Sequence, residues 1–140
     1  GWVMPVQSVW MIRLSLASLL VSAVMGGLIL THKAAPLHPA IWGLLPLHYE
    51  LAIWGWLVQF VMGTAYWMFP RYLKAPGRGS SRMAGLMVAL YNAGLVLLLL
   101  SSLMGSVKIP LALTGRGLLA SAVVLFGGLM WRRVVSYRDR

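Results

Sequence analysis

The sequence predicts an all-α integral membrane protein, a four-helix bundle with both termini in the cytoplasm. Hydrophobic residues make up 60% of the 140 residues and charged residues only 10%, whereas roughly a quarter of the residues in a soluble domain are charged. The apolar residues fall into four stretches of about 20 residues, the length that an α-helix needs to cross a bilayer. The predicted spans are 9–30, 48–69, 83–104 and 111–131. They leave room for a single membrane domain, 1–140, and none for a domain outside the membrane.

The length of the first span and the prolines of the segment after it predict a helix followed by a loop. Span 9–30 is about 20 residues long and no clear cleavage site follows it, which favours a transmembrane helix over a signal peptide. Segment 31–46 contains three prolines and predicts a loop, with a short interfacial turn anchored by Trp42. The chain begins on Gly1 rather than Met, so we expect that an initial segment was removed or is missing.

The second span has two different faces. No residue between 51 and 69 is charged. At 100° per residue, small and polar side chains share one narrow sector, and bulky apolar ones lie opposite. The small and polar face contains His48, Ala52, Gly55, Gln59, Gly63 and Tyr66; the opposite face contains Trp54, Leu57 and Val61. In lipid, a small or polar face is best turned towards protein or a cofactor, so we expect this face to point inward.

The basic residues predict the orientation, because short cytoplasmic loops carry an excess of Lys and Arg. With four spans, nine bases fall on the side of the termini and three on the other. The nine are Arg13, Arg71, Lys74, Arg78, Arg82, Arg132, Arg133, Arg138 and Arg140; the three are Lys33, Lys108 and Arg116. Both termini are therefore predicted to be cytoplasmic, and the three histidines lie at or near the outer face.

Composition also excludes several classes of function. The chain has 12 Lys and Arg against two acids, but these bases flank apolar spans, which indicates topology and anionic headgroups rather than nucleic acid. It contains no cysteine, which excludes thiolate-bound zinc, iron–sulfur clusters and covalent c-type haem. No nucleophile with a base, phosphate-binding glycine loop or paired carboxylates can be recognised.

His48 is the main candidate for cofactor binding. It lies near the outer end of the second span, on the inward face, where an imidazole can bind the iron of a haem b. The other reading is an interfacial histidine bonded to a neighbouring loop. A second axial ligand has to come from His32, at a compatible depth, or from His38, which is harder to aim. A metal site built from the three histidines ranks lower, because no carboxylate shares their helical face.

Four other polar residues lie inside or close to the spans. Glu50 and Arg116 are costly in lipid unless they pair, so we expect a structural ion pair; alternatively Arg116 reaches the surface, an acidic headgroup or a haem propionate. Gln59 and Asn92 lie near mid-membrane and are expected to bond across helices. A quinone headgroup or a haem edge would use the same amides, which makes Gln59 a second cofactor-binding candidate.

The motifs HKAAPLHP and LHYELAIWGWLVQFVMGTAYWMFPRY resemble the early part of subunit I of haem–copper oxidases and nitric oxide reductases, particularly small subunit-I-like membrane proteins. The resemblance is best over 48–71, weaker over 13–36, and limited to hydropathy in the last two spans. It implies that His48 corresponds to the helix-two histidine that binds low-spin haem near the outer membrane face.

The chain departs from that family in its other ligands. The family's partner histidine lies on a late helix that this chain lacks, and the histidines for copper and high-spin haem are absent. Small relatives often carry a second histidine two positions on, where this chain has Glu50. Reduction of oxygen or nitric oxide by this chain alone is therefore excluded, and haem binding requires His32, a partner subunit or a duplicate chain.

These observations predict a small, non-catalytic subunit of a bacterial respiratory or photosynthetic electron-transfer complex in the cytoplasmic (inner) membrane. We expect it to pack against larger subunits and to contact haem, quinone or lipid. One alternative is a b-type haem electron carrier that uses His48. Another is a small transporter or channel subunit, for which Gln59, Asn92 and the Glu50–Arg116 pair would form the polar pathway.

Overall fold

The computed structural model describes residues 3–73, 77–104 and 106–136, and within these ranges the chain is helical without any strand. It contains four long helices: α1 (Val6–Ala34), α2 (three continuous segments, Leu44–Glu50, Leu51–Val58 and Gln59–Met68), α3 (Ser81–Ser101) and α4 (Lys108–Trp131). A 3-10 turn, Pro39–Gly43, leads into α2. All four helices are long and apolar enough to cross a membrane. The predicted all-α chain with four membrane-length helices is therefore confirmed. Lys74, Arg138 and Arg140, which enter the charge count, lie outside the described residues.

All four helices begin earlier than the sequence predicts, α1 at Val6 rather than 9 and α3 at Ser81 rather than 83, and in the other two the early start includes a proline. α2 begins at Leu44 rather than 48, and α4 begins at Lys108 rather than 111. Pro46 and Pro110 are each the third residue of their helix. Because the N–H groups of the first turn have no partner within the helix, a proline there loses no hydrogen bond. The predicted loop over 31–46 is correspondingly shorter, since α1 also continues to Ala34.

The helices pack as two hairpins, α1 with α2 and α3 with α4, with fewer contacts between the hairpins. Glycines bring the backbones close in both pairs. A Cβ on Gly94 of α3 would lie 2.7 Å from the carbonyl oxygen of Gly115 on α4. A Cβ on Gly115 would likewise lie 2.7 Å from the carbonyl oxygen of Gly94. In the first hairpin, a Cβ on Gly63 would lie 2.9 Å from the Cβ of Met11. Such close approaches are typical of helix packing in membranes.

A single core joins the two hairpins. Its buried residues come from all four helices: Met11, Met62, Met87, Tyr91, Leu95, Leu98, Leu119 and Ala122. A smaller cluster of Tyr66, Ala84 and Met130 lies where α2 and α4 end and α3 begins. Most of each span faces outward, as expected where lipid covers the helices.

The buried face of α2 agrees with the predicted one. Gly55, Gln59, Gly63 and Tyr66 are buried, whereas Leu57 and Val61 are exposed. Trp54, which was predicted to lie on the opposite face, is instead half-buried and packs against the core. His48 is half-buried on the same face, at the end of α2 that is predicted to lie on the outer side of the membrane. The inward orientation of this stripe is therefore confirmed, and it places His48 against α1.

Candidate functional site

His48 lies at the interface of α1 and α2, where Ser22 bonds to it twice. Its Nδ1 is 2.7 Å from the carbonyl oxygen of Ser22. The Ser22 hydroxyl lies 3.1 Å from the same nitrogen and donates to the carbonyl oxygen of His48 at 2.9 Å. Because a carbonyl oxygen only accepts hydrogen bonds, Nδ1 must carry a proton. In the neutral ring the lone pair therefore lies on Nε2, the tautomer that a metal-binding histidine adopts when its other nitrogen is held by a carbonyl.

Gly26 makes room for the imidazole. A Cβ at position 26 would lie 2.8 Å from Cε1 of His48 and 3.4 Å from each ring nitrogen. The Cε1 corner therefore points at α1, and the two ring nitrogens are equally distant from that position. Nε2 makes no hydrogen bond among the described residues and is not one of the fully buried unpaired atoms. His48 can thus offer one lone pair to a ligand while Ser22 fixes its ring.

His32 and His38 serve local structure instead. Nδ1 of His32 accepts a hydrogen bond from the backbone N–H of Leu37 at 3.0 Å, and the buried ring packs edge-on against Trp42 with centroids 5.4 Å apart. Nδ1 of His38 accepts from the backbone N–H of Ala40 at 3.1 Å. A neutral imidazole that accepts at Nδ1 carries its proton on Nε2, which leaves no lone pair for iron.

The structure does not bring His32 and His48 together. His48 contacts α1 at Ser22 and Gly26, whereas His32 lies six residues beyond Gly26, about 9 Å along the helix axis. Among the described residues, no three His, Cys, Asp or Glu side chains are grouped so that they could hold a metal ion.

A π-helical segment follows directly after Glu50. It covers Leu51–Val58, and the hydroxyl of the buried Tyr91 on α3 donates to the carbonyl oxygen of Trp54 at 2.5 Å. A π-turn shifts the hydrogen-bond pattern by one residue, and such segments occur frequently at functional sites. An outside donor to a backbone carbonyl is one device that stabilises an irregular helix in lipid. Sequence reasoning missed this segment; its only signal was a tyrosine hydroxyl that needs a partner at mid-membrane.

Gln59 and Asn92 bond to each other one turn further on. The Gln59 side-chain amide donates to Oδ1 of Asn92 at 2.9 Å, and the Asn92 amide donates to the carbonyl oxygen of Val88 at 2.9 Å. Gln59 is completely buried, and its Oε1 has no hydrogen-bond partner. The pair joins α2 to α3. The one free acceptor of Gln59, Oε1, is buried, so a quinone or a haem edge has no access to it in this conformation.

Glu50 and Arg116 form a salt bridge between α2 and α4. Nη2 of Arg116 lies 2.8 Å from Oε1 of Glu50, and their side chains are 52% and 12% exposed. The carboxylate is therefore nearly enclosed, while the guanidinium reaches the surface. This arrangement compensates the charge of Glu50, which is the one acid among the described residues.

Arg133 forms an extensive polar contact, whereas the sequence analysis counted it only among the bases on the side of the termini. It is 2% exposed. Its Nη2 donates to the carbonyl oxygens of Tyr66 at 2.8 Å and Phe69 at 2.7 Å, and its Nε donates to that of Pro70 at 2.8 Å. These are carbonyls at the C-terminal end of α2, which lack partners within the helix and carry its negative partial charge.

Arg133 also lies over the ring of Tyr66, with Cζ 5.3 Å from the centroid. Burial lowers the pKa of Arg133 from its ordinary value, and the neighbouring charge of Arg78 lowers it further. The guanidinium nevertheless stays charged at any physiological pH. A helix that ends at proline needs donors for its last carbonyls, but no sequence signal shows which arginine supplies them.

Comparison of the chain with protein-family models, curated proteins and solved structures finds no match. The resemblance of 48–71 to subunit I of haem–copper oxidases therefore stays a prediction.

Proposed function

We propose that this protein is a small, non-catalytic subunit of a bacterial electron-transfer complex in the inner membrane, with both termini in the cytoplasm. In this role it packs against a larger membrane subunit and contacts haem, quinone or lipid at their boundary. The observation that carries the proposal is the side of α4 that points away from the core, because its small residues would let a helix of another protein pack closely on it.

The two faces of α4 differ in what covers them. At 100° per residue, the buried residues Gly115, Leu119, Ala122 and Met130 cluster on one side. Between 117 and 128 the opposite side is exposed and carries five small residues and one valine: Gly117, Ala120, Ser121, Val124, Gly127 and Gly128. The exposed Leu113 and Trp131 lie in the same sector at its two ends. We call this side the small-residue face. A Cβ added to any of its glycines would meet nothing within 4 Å.

Small residues on a membrane helix let another helix backbone approach closely, whereas lipid-facing positions need no such residues. The small-residue face is turned away from the core of this chain, so a helix packed on it would come from another chain. The polar side chains inside the spans support a packing role too, because Gln59 bonds to Asn92 and Tyr91 to the backbone of α2.

Two observations support the redox part of the proposal. One is the resemblance of 48–71 to subunit I. The other is His48, whose Nδ1 is held by the Ser22 carbonyl while Nε2 keeps its lone pair.

The test is purification of the tagged protein from native membranes in mild detergent. We expect larger redox subunits to copurify. Ala120→Leu should remove them because it adds bulk to the small-residue face, whereas Ala17→Leu, the same change at an exposed position of α1, should not. A self-sufficient oligomer that conducts solute after reconstitution would contradict the proposal and favour a transporter subunit.

The geometry of His48 also favours a second candidate, a b-type haem electron carrier. A haem group would supply one-electron transfer, and His48 would hold it through Nε2. His32 and His38 each use Nδ1 as an acceptor, so the second ligand would come from a second copy or a partner subunit. Ser22 would keep the proton on Nδ1 and the ring in place.

A dithionite-reduced minus oxidised spectrum of the purified chain tests this candidate. A sharp α band that disappears in His48→Ala and persists in His38→Ala would support it, because the His38 ring is exposed and bonds to the backbone of Ala40 rather than to His48. A flat spectrum, or equal loss in both variants, would remove it.

A further inference from the structure

Two neighbouring residues of α3 hold α2 at points five residues apart. The hydroxyl of Tyr91 donates to the carbonyl oxygen of Trp54 at 2.5 Å, and Oδ1 of Asn92 accepts from the side-chain amide of Gln59 at 2.9 Å. Five residues turn an α-helix by about 500°, which leaves the two positions about 140° apart. A π-turn closes its hydrogen bond over five residues, so the same two positions lie nearly one above the other. The spacing of the two bonds therefore matches the π-helical segment rather than a regular α-helix.

The packing of Trp54 agrees with this shift. At 100° per residue its side chain belongs on the face opposite Gln59, but it packs against the buried core. Tyr91 is 0% exposed and is part of the same core. Core packing therefore sets the position of the hydroxyl that donates to the π-helical segment.

The π-helical segment determines how the outer half of α2 is rotated relative to its inner half. A π-turn contains one residue more than an α-turn, so conversion of Leu51–Val58 into a regular α-helix would rotate the preceding residues by about 100°. Each of them would take the place of the residue before it. Glu50 would move to the place of Tyr49, which is 46% exposed, and His48 would leave its contact with α1.

The inner half of α2 has contacts that hold it in place during such a change. Gly63 packs closely on Met11 of α1, and the carbonyl oxygens of Tyr66 and Phe69 accept from Arg133. The rotation would therefore fall on the outer half.

The Tyr91 hydroxyl favours the π-turn over the regular helix. In a regular α-helix the N–H of Val58 would bond to the carbonyl oxygen of Trp54, because each N–H bonds four residues back. In the observed structure Tyr91 supplies a donor to that oxygen. Without the hydroxyl, the oxygen would lose this donor in a region where no water replaces it, which favours the regular helix.

We infer that Tyr91 is a positioning residue. Its bond to Trp54 keeps the π-turn and thereby places His48 against Ser22 and Glu50 against Arg116. The inference does not rest on the redox role, because both contacts are made within this chain.

Double-mutant cycles on the detergent-purified full chain test the inference. One cycle combines Glu50→Gln with Arg116→Gln, and the other combines His48→Ala with Gly26→Ala, whose Cβ would meet the imidazole. Each coupling is measured as a factor in the unfolding equilibrium constant from a denaturant titration. We expect both factors to be about threefold or more in the otherwise unchanged chain. In Tyr91→Phe both should fall to about one, because the partners are no longer in contact.

Two further variants separate the rotation of α2 from general stability. Tyr66→Phe is the matched control, since it removes the same hydroxyl group at the inner end of α2, and it should leave both factors unchanged. Deletion of Ile53, which is 46% exposed, takes one residue out of the π-helical segment. A regular helix then keeps both halves in their present rotation. Both factors should therefore stay near their original values even when Tyr91→Phe is added to the deletion.

Several results would overturn the inference. Undiminished factors in Tyr91→Phe would show that Tyr91 adds stability without setting the rotation. Equal losses in Tyr66→Phe would assign the effect to a general loosening of the bundle. Factors near one in the unchanged chain, or a deletion of Ile53 that does not restore them in Tyr91→Phe, would also contradict it. Should Tyr91→Phe fail to fold, adding the deletion should restore folding, and a combined variant that stays unfolded would count against the inference.

Discussion

Replacing Arg133 by Met tests the contact between the ends of α2 and α4, because Met keeps an apolar stem and removes every donor. Arg133 makes three hydrogen bonds to backbone carbonyls. Hydrogen bonds that involve a charged group contribute about 1.5 kcal/mol each at the low end, so the three contribute about 4.5 kcal/mol. Hydration lost by the buried guanidinium offsets roughly 2 kcal/mol of this. The expected loss of stability is therefore about 2–3 kcal/mol.

For a chain of this length, that loss lowers Tm by about 5–10 °C, which can be measured by circular dichroism in a single detergent. Arg132→Met is the matched control, because Arg132 is next to Arg133 in the chain but is exposed. This substitution should change Tm by no more than about 2 °C. Arg133→Lys should fall between, since an ammonium keeps the charge but cannot span three carbonyls. Equal Tm values for Arg133→Met and Arg132→Met would refute the reasoning.

Three further predictions concern packing, the amide pair and topology. Gly94→Ala should destabilise the chain by about 1–3 kcal/mol because the new Cβ meets the opposite backbone, whereas Gly85→Ala, with open space around it, should be neutral or stabilising in the same denaturant titration. Gln59→Leu should cost about 0.6 kcal/mol by the same method, the average for an interhelical hydrogen bond in lipid; a cost above about 3 kcal/mol would contradict a simple pair. With both termini cytoplasmic, a membrane-impermeant maleimide added to intact cells should label Ser106→Cys but not Leu73→Cys, and the reverse pattern would invert the topology.

The features that the sequence predicted well depend on local periodicity and on the cost of charge in lipid. The apolar stretches were long enough to indicate four helices, and the stripe on α2 was visible because its small and polar residues recur at helical spacing. Glu50 and Arg116 each needed a compensating charge near one end of the spans, and the structure places them 2.8 Å apart.

The features that sequence reasoning missed depend on long-range partners. The start of α2 was misjudged because Pro46 was read as a break, although a proline in the first turn costs no hydrogen bond. The π-segment is supported by Tyr91, which lies 37 residues from Trp54 in the chain. Arg133 bonds to carbonyls more than 60 residues earlier, and nothing in its own neighbourhood distinguishes it from Arg132.

The contact of Arg133 with α2 also has a consequence for the order of assembly. Arg133 follows all four spans in the chain, so the last carbonyls of α2 receive these donors only after the fourth span has been synthesised. Until then, the first hairpin must leave those oxygens to interfacial water. The end of α2, which is synthesised much earlier, is thus stabilised only when the last span is complete. A chain that stopped before Arg133 would lack the donors for these carbonyl oxygens.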